Sequence, residues 1–237
     1  MDFELFNFGE IDGRNSLASS LNAIYRLRYQ VYVNECGFER AEDHPDSLEQ
    51  DEYDHHAIHF YAHLKHSEDL IGTARIILGS ERTLPVERHF DIDPFPAEME
   101  REQIAEISRL AISKKFRCRA IERAIFGTDK EKARRRASFF ENPRQLRRHY
   151  EQELVRGLYV SLYQASKSRG LTHWFMVMTK GLGVMLRRWG VDFVQIGPAR
   201  DYHGIRAPYL ISIEALERTL AKTDPLLYGK AINGLAH

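Results

Sequence analysis

Ala57-Ile58-His59-Phe60-Tyr61-Ala62-His63-Leu64 alternates along its length, with Ile58, Phe60, Ala62 and Leu64 on one face. After the polar turn Ser67-Glu68-Asp69 the chain resumes as Leu70-Ile71-Gly72-Thr73-Ala74-Arg75-Ile76-Ile77-Leu78, apolar on both faces. Alternation predicts a half-covered strand and a continuous apolar run a buried one, so the pair reads as a β-hairpin. Ile104 to Ile112 is a further strand of the buried kind.

Upstream, Phe3 to Phe8 alternates like a short strand and Gly9 to Asn15 breaks it. Ser16 is placed to cap a helix in which Leu17, Leu21, Ile24, Leu27 and Val31 recur at helical spacing. Residues 34–55 are polar, acidic and without a period, and an irregular segment of that length in a compact domain points to function. Downstream, an amphipathic helix is expected from about Tyr150 to Ser168, with Gly170 as its C-cap. Thr172 to Thr179 reads as a strand, Lys180 to Arg188 as a short helix, and Val191 to Ile196 and Ala207 to Ile213 as strands. This order predicts an α/β chain with one mixed sheet and helices on both faces, forming a single domain over residues 1–237. A basic insertion interrupts it at about residues 121–149.

Of 237 residues, 43% are apolar and 29% charged, which suffices for a core without disulfides and excludes collagen-like, disordered and mini-protein classes. Lys+Arg and Asp+Glu both number 34, but they are unevenly placed. Residues 1–113 carry 10 basic against 23 acidic side chains, and residues 114–148 carry 13 against 4. An acidic first half and a basic middle mark either a binding surface or a solvated excursion. Aromatics are sparse in the basic run, which argues against nucleic acid as its partner. Cys36 and Cys118 are too few for a disulfide framework, and no window is apolar enough to span a bilayer. Met1-Asp2-Phe3-Glu4 lacks the features of a secretory signal, so the expected address is cytoplasmic.

Charges sit where core strands should have none. Arg75 interrupts one buried strand, Glu106 and Arg109 interrupt the next, and Arg28 falls on or beside the apolar stripe of the first helix. A buried guanidinium requires an anion nearby, and Asp51 and Asp54 lie in the adjoining acidic segment. Regular alternation sends Glu106 and Arg109 to opposite faces, so a shared site needs a β-bulge between them. The histidines His55, His56, His59, His63 and His66 invite a metal reading. Four residues along a strand separate two side chains by roughly 13 Å, too far for one ion. A solvent-facing strand edge, with no metal, is the expectation. Lys180-Gly181-Leu182-Gly183 lacks the spacing of a phosphate loop.

Several of these groups recur in order in a known family. Arg28-Tyr29-Gln30-Val31-Tyr32-Val33, Glu35 to Phe38, Asp51 and Asp54, Gly72-Thr73-Ala74-Arg75, Phe90 and Glu106-Ile107-Ser108-Arg109 resemble the motifs of acyl-homoserine-lactone synthases. The resemblance covers roughly residues 20–113. It implies the GCN5-related N-acyltransferase (GNAT) fold, a mixed, mostly antiparallel sheet flanked by helices. The remainder, with its basic excursion and the strand Trp174-Phe175-Met176-Val177-Met178, is more similar to N-acyl amino acid synthases. In particular it resembles the acyltransferases that accompany the exosortase/PEP-CTERM sorting system.

The resemblance implies transfer of a long-chain acyl group from an acyl carrier protein thioester, or acyl-CoA, to the amino group of an amino acid, with no tightly bound cofactor. Glu106 is then the candidate base, and Leu110 and Ala111 mark where the thioester meets a backbone amide. Arg28, Tyr32, Phe38, Asp51, Asp54, Arg75, Phe90 and Arg109 form the expected acceptor side, its arginines either binding the acceptor carboxylate or orienting the acidic cluster. Lys114, Lys115, Arg117 and Arg119 form the expected carrier-docking surface, and Trp174, Met176 and Met178 the acyl tunnel. Tyr32 and Phe38 stand where autoinducer synthases have phenylalanine and tryptophan, which shifts the expected acceptor away from S-adenosylmethionine. Cys118 stands at the first glycine of the acetyltransferase pyrophosphate loop, where a side chain crowds amides approaching a phosphate, and so favours a carrier protein over free coenzyme A. Leu186 stands where many acetyltransferases have a general-acid tyrosine. Two alternatives stay open: an autoinducer synthase using S-adenosylmethionine, and a non-catalytic module that binds an acylated carrier or lipid.

Overall fold

The computed structural model describes residues 5–16, 18–65, 69–93, 99–114 and 143–233. In chain order the elements are β1 (Phe6–Asp12), α1 (Ala18–Tyr29), a π-helical continuation (Gln30–Glu35), β2 (Ala57–Leu64), β3 (Leu70–Leu78), α2 (Pro85–His89) and β4 (Ile104–Ile112). After the basic stretch come α3 (Pro143–Ser168), β5 (His173–Met178), α4 (Lys180–Arg188), β6 (Val194–Gln195), β7 (Arg200–Asp201), β8 (Ile205–Ser212), α5 (Ile213–Thr223) and α6 (Pro225–Asn233).

The strands form one sheet in the order β1-β2-β3-β4-β5-β8-β6, with β7 added to β8. Every pairing is antiparallel except β4 with β5, which run parallel. Alternation decides which side chains go to which face. Ile58, Phe60 and Ala62 of β2, Ile107 of β4 and Trp174, Met176 and Met178 of β5 pack with Tyr150, Leu154, Leu158 and Leu162 of α3 in the main core. On the opposite face, α1 lays Leu21, Ile24 and Tyr25 over Tyr61, and Val86 and Phe90 of the α2 region pack on Ala57, Ile77 and Phe175. The expected α/β sheet with helices on both faces is therefore present.

Several local expectations need correction. The first strand runs Phe6–Asp12 instead of Phe3 to Phe8, with Gly9 inside it. Gly9 pairs with Tyr61, and a Cβ there would lie 2.5 Å from Tyr61 Cζ, so the glycine makes room for a cross-strand ring instead of ending the strand. His59 is fully buried: β2 lies between β1 and β3 and is no sheet edge, and Tyr25 of α1 packs over its ring with centroids 6.0 Å apart. Residues 143–149, expected within the basic insertion, form the first turns of α3, while residues 121–142 lie outside the described residues. The strand expected over Val191 to Ile196 is reduced to Val194–Gln195. The strand expected to end at Ile213 stops at Ser212, whose hydroxyl accepts the Ala215 N–H at 3.3 Å and caps α5.

Candidate active site

The site lies where the sheet opens. β4 and β5 pair through Ile104↔His173, Ala105↔Trp174, Glu106↔Phe175 and Ile107↔Met176, and no pair joins the two strands beyond these. On the other edge of β4, Arg75 pairs with Ser108 and Thr73 with Ala111, which leaves Ala74 facing both Arg109 and Leu110. That two-against-one count is a β-bulge. Arg109 accommodates it with a φ of +51°, a left-handed conformation costly for a side chain other than glycine. Glu106 and Arg109 thereby line one cavity of about 380 Å³, as a shared site requires.

Beneath that cavity three guanidiniums meet three carboxylates. Arg28, from α1, donates Nε to Glu49 and grips Asp54 with Nη1 and Nη2 at 2.7 and 3.2 Å. Arg75 reaches Asp51 at 2.6 and 3.0 Å, Asp54 at 2.6 Å and the Ser108 hydroxyl at 3.1 Å. Arg109 closes the group on Glu49 at 3.1 Å and Asp51 at 2.9 Å. Burial by itself would raise the pKa of Asp54, but Arg28 and Arg75 hold it well below the ordinary carboxylate range. Asp51 and Glu49 are likewise lowered by their arginines against the opposing effect of burial. The six charges cancel, so the network holds the irregular segment against β3 and β4 without presenting a net charge to the cavity.

The turn that carries Asp54 rests on β1. Gly13 donates its N–H to the Ala57 carbonyl at 2.9 Å, and a Cβ on Gly13 would lie 2.3 Å from the Asp54 carbonyl oxygen. Because that neighbour is backbone, Gly13→Ala must displace the turn; the expected loss is about 1–3 kcal/mol, read as a lower melting temperature. An unchanged melting curve would mean that the turn yields freely.

Glu106 stands apart from the network. Its side chain is 3% exposed, one carboxylate oxygen accepts the Val86 N–H at 2.7 Å, and burial pushes its pKa up to about 8. Arg75 and Arg109 pull the other way and do not overcome the desolvation. A carboxyl that titrates near 8 is mostly protonated at neutral pH, and the carboxylate form that appears as pH rises toward 8 can accept a proton from an amine.

Aromatic side chains from three elements form the rim. The Tyr32 hydroxyl donates to the Leu110 carbonyl at 3.3 Å, and the Tyr32 and Phe38 rings lie 6.4 Å apart. From the β7–β8 turn, Tyr202 packs on His89 and Phe90 with ring centroids 4.9 and 5.6 Å away. His203 holds the Phe38 carbonyl at 2.9 Å, joining this turn to the segment after α1.

Residues 27–126 match the family profile described as an acetyltransferase (GNAT) domain. This chain has the GNAT acyltransferase fold. Among solved structures it resembles TofI in a ternary complex with an inhibitor and MTA, at 18% identity and a TM-score of 0.62 over 93% of this chain and 98% of that one. BjaI, a CoA-dependent acyl-homoserine lactone synthase with SAM and isopentyl-CoA, is 14% identical with a TM-score of 0.61 over 95% and 98% of the two chains. FeeM, an N-acyl amino acid synthase from uncultured soil microbes, is 14% identical with a TM-score of 0.54 over 92% and 96%. A comparison with curated protein sequences finds no match. Among the described residues no helix is long and apolar enough to cross a membrane.

Within this fold, Tyr32, Phe38, Asp51, Arg75, Phe90, Glu106 and Arg109 all line the cavity. Arg28 and Asp54 do not: both are buried behind it, where Arg28 pairs with Glu49 and Asp54. Leu110 packs its side chain on the main core and Ala111 packs against Leu27 and Val31. Trp174, Met176 and Met178 point to the α3 face, and the β5 side chain that lines the cavity is Val177. Trp174 instead lines a separate apolar cavity of about 50 Å³ with Tyr159, Leu186, Trp189 and Ile211. The Lys114 N–H donates to Glu35 at 2.8 Å, while Lys115, Arg117, Cys118 and Arg119 lie outside the described residues. Glu49, Tyr202, His203 and Arg206 were not singled out from the sequence. Glu49 is one of many carboxylates in an aperiodic segment, and the other three reach the site only because β8 neighbours β5.

Proposed function

We propose that this acyltransferase moves a long-chain fatty acyl group from an acyl carrier protein thioester to the amino group of an amino acid. The observation that carries the reading is Glu106: a buried carboxyl titrating at about 8, beside a charge-neutral network, at the point where the parallel strands separate. The amine lone pair attacks the thioester carbon, forming the N–C bond, and its proton passes to the ionised Glu106 carboxylate directly or through one water. Collapse of the tetrahedral intermediate breaks the C–S bond, and the proton returns from Glu106 to the departing thiolate. Backbone amides of β4 beyond Ile107, near Leu110 and Ala111, are the proposed donors to the carbonyl oxygen.

An acyl chain threading the open seam from the cavity would meet Met176 and Met178 on the far face and run toward the apolar cavity beside Trp174. Methionine suits a flexible chain. Lys114, with Lys115, Arg117 and Arg119, is the proposed docking surface for an acidic carrier, an assignment that goes with a cytoplasmic address. Tyr32 and Phe38, in place of the autoinducer synthases' phenylalanine and tryptophan, support an amino acid over S-adenosylmethionine.

Purified protein is incubated with long-chain acyl carrier protein or acyl-CoA, and with mixed amino acids or S-adenosylmethionine, and the products are identified by mass spectrometry. An N-acyl amino acid formed from the carrier is expected. Product from acyl-CoA alone would replace the donor, and release of methylthioadenosine would replace the acceptor. Carrier binding without any product would make the chain a binding module.

A further inference from the structure

One arginine that lines the cavity has no carboxylate partner among the described residues. Arg75 and Arg109 are matched, with Arg28, by Glu49, Asp51 and Asp54. Glu52 is engaged by Arg82 and Arg88, and Glu39 stands 3.7 Å from His203. Arg206, on β8, also lines the cavity and forms no ion pair with a described carboxylate. Its guanidinium lies over the Phe38 ring, 5.1 Å from the centroid, and Nη2 donates to the His203 carbonyl at 3.2 Å. Its Nε is buried without a hydrogen-bond partner among the described residues.

A guanidinium that lines a cavity without a carboxylate partner offers its terminal N–H groups as charge-assisted donors to an anion that enters. The planar fork of arginine suits a carboxylate, which can take two of its N–H groups at once. Position adds to this. Sheet order places Arg206 on the β5–β8 side of the seam and Glu106 on the β4 side, so both ends of a small zwitterion can be engaged across the opening.

We infer that Arg206 binds the carboxylate of the acceptor α-amino acid and so selects acceptors that carry one. The inference rests on the amino-acid acceptor proposed above. It assigns carboxylate recognition to the cavity arginine without a carboxylate partner and leaves Arg28, Arg75 and Arg109 to order the site.

The test compares wild type, Arg206→Gln and Arg206→Lys with an amino acid and its carboxamide. Two quantities are read: kcat/KM for acylation, and calorimetric binding to the protein without donor. In Arg206→Gln the ratio of kcat/KM for the acid to that for the amide falls about 10- to 100-fold, and the preference in binding is lost. Arg206→Lys retains the charge without the fork and keeps part of both. Equal losses for acid and amide, or an effect confined to the KM of the thioester, would overturn the inference. If wild type acylates no amine but binds the acid in an Arg206-dependent way, the transfer reading fails and the carboxylate site stands. If it acylates acid and amide equally, the reverse holds. Should Arg206→Gln not fold, the lysine variant decides by whether the preference weakens.

Discussion

Glu106→Gln lowers turnover by roughly 10²–10⁴-fold and raises the melting temperature at neutral pH. Both effects come from the same carboxyl. Its pKa rises from 4.5 in the unfolded chain to about 8 in the fold, chiefly through burial. Between those values the folded protein binds more protons than the unfolded one. The stability tied to this group is therefore complete below about 4.5 and is lost as pH rises through about 8. Up to pH 7 the loss is on the order of 3 kcal/mol. Glutamine stays neutral at every pH, and its side-chain oxygen can still accept the Val86 N–H. Melting curves from pH 4.5 to 8.5 should show a gap in favour of the variant that opens with pH and closes at the acid end. The wild-type rate should carry a limb near pH 8 that the variant lacks. A variant less stable than wild type at pH 8 would refute the buried acid, and unchanged turnover would remove Glu106 from the chemistry.

The largest loss of stability is expected from Asp54→Asn. Asp54 accepts from Arg28, Arg75 and the Asp51 N–H, so its neutralisation leaves two buried guanidiniums sharing fewer anions. Breaking a buried ion pair from one side costs about 3–5 kcal/mol, which for a chain of this size lowers the melting temperature by roughly 10 °C. The pH dependence has the opposite sign to that of Glu106. Asp54 is held below its usual 3.8, so the stability it contributes is present above that value and lost only as pH falls through the lowered one. Wild type and variant should therefore differ by a constant amount from pH 5 to 8 and converge in strong acid. A loss under about 1 kcal/mol, the range of a surface pair, would show that water enters the network. Turnover should fall as well, since Arg75 and Asp51 line the cavity that Asp54 helps to order.

Much of this site is legible in the residues. Arg75, Glu106 and Arg109 break otherwise apolar strands, and a spacing of three between the last two cannot be reconciled with one cavity except by a bulge. The bulge falls at Arg109-Leu110. What the chain does not display is direction. Alternation puts Trp174, Met176 and Met178 on one face of β5, but only the packing of α3 decides that this face looks away from the cavity. Gly9 reads locally as a breaker, and its role depends on a tyrosine more than fifty residues later. His59 was expected at a solvent-facing edge because the polar face of β2 carries no sign that α1 and β1 cover it. It instead donates its Nε2–H to the Asp54 carbonyl at 2.9 Å, its neutral form favoured by burial.

The single parallel pairing also divides the chain into two blocks that meet at the cavity. Four residue pairs join an antiparallel block ending at Ile112 to a second block beginning at His173. The first block contains Glu106, the proposed base, and every member of the ion network; the second adds Val177, Tyr202, His203 and Arg206 to the same cavity. The proposed base and the proposed carboxylate-binding arginine thus lie on separate stretches of chain. Substitutions downstream of residue 143 can therefore be screened for altered acceptor preference with Glu106 and the ion network left unchanged.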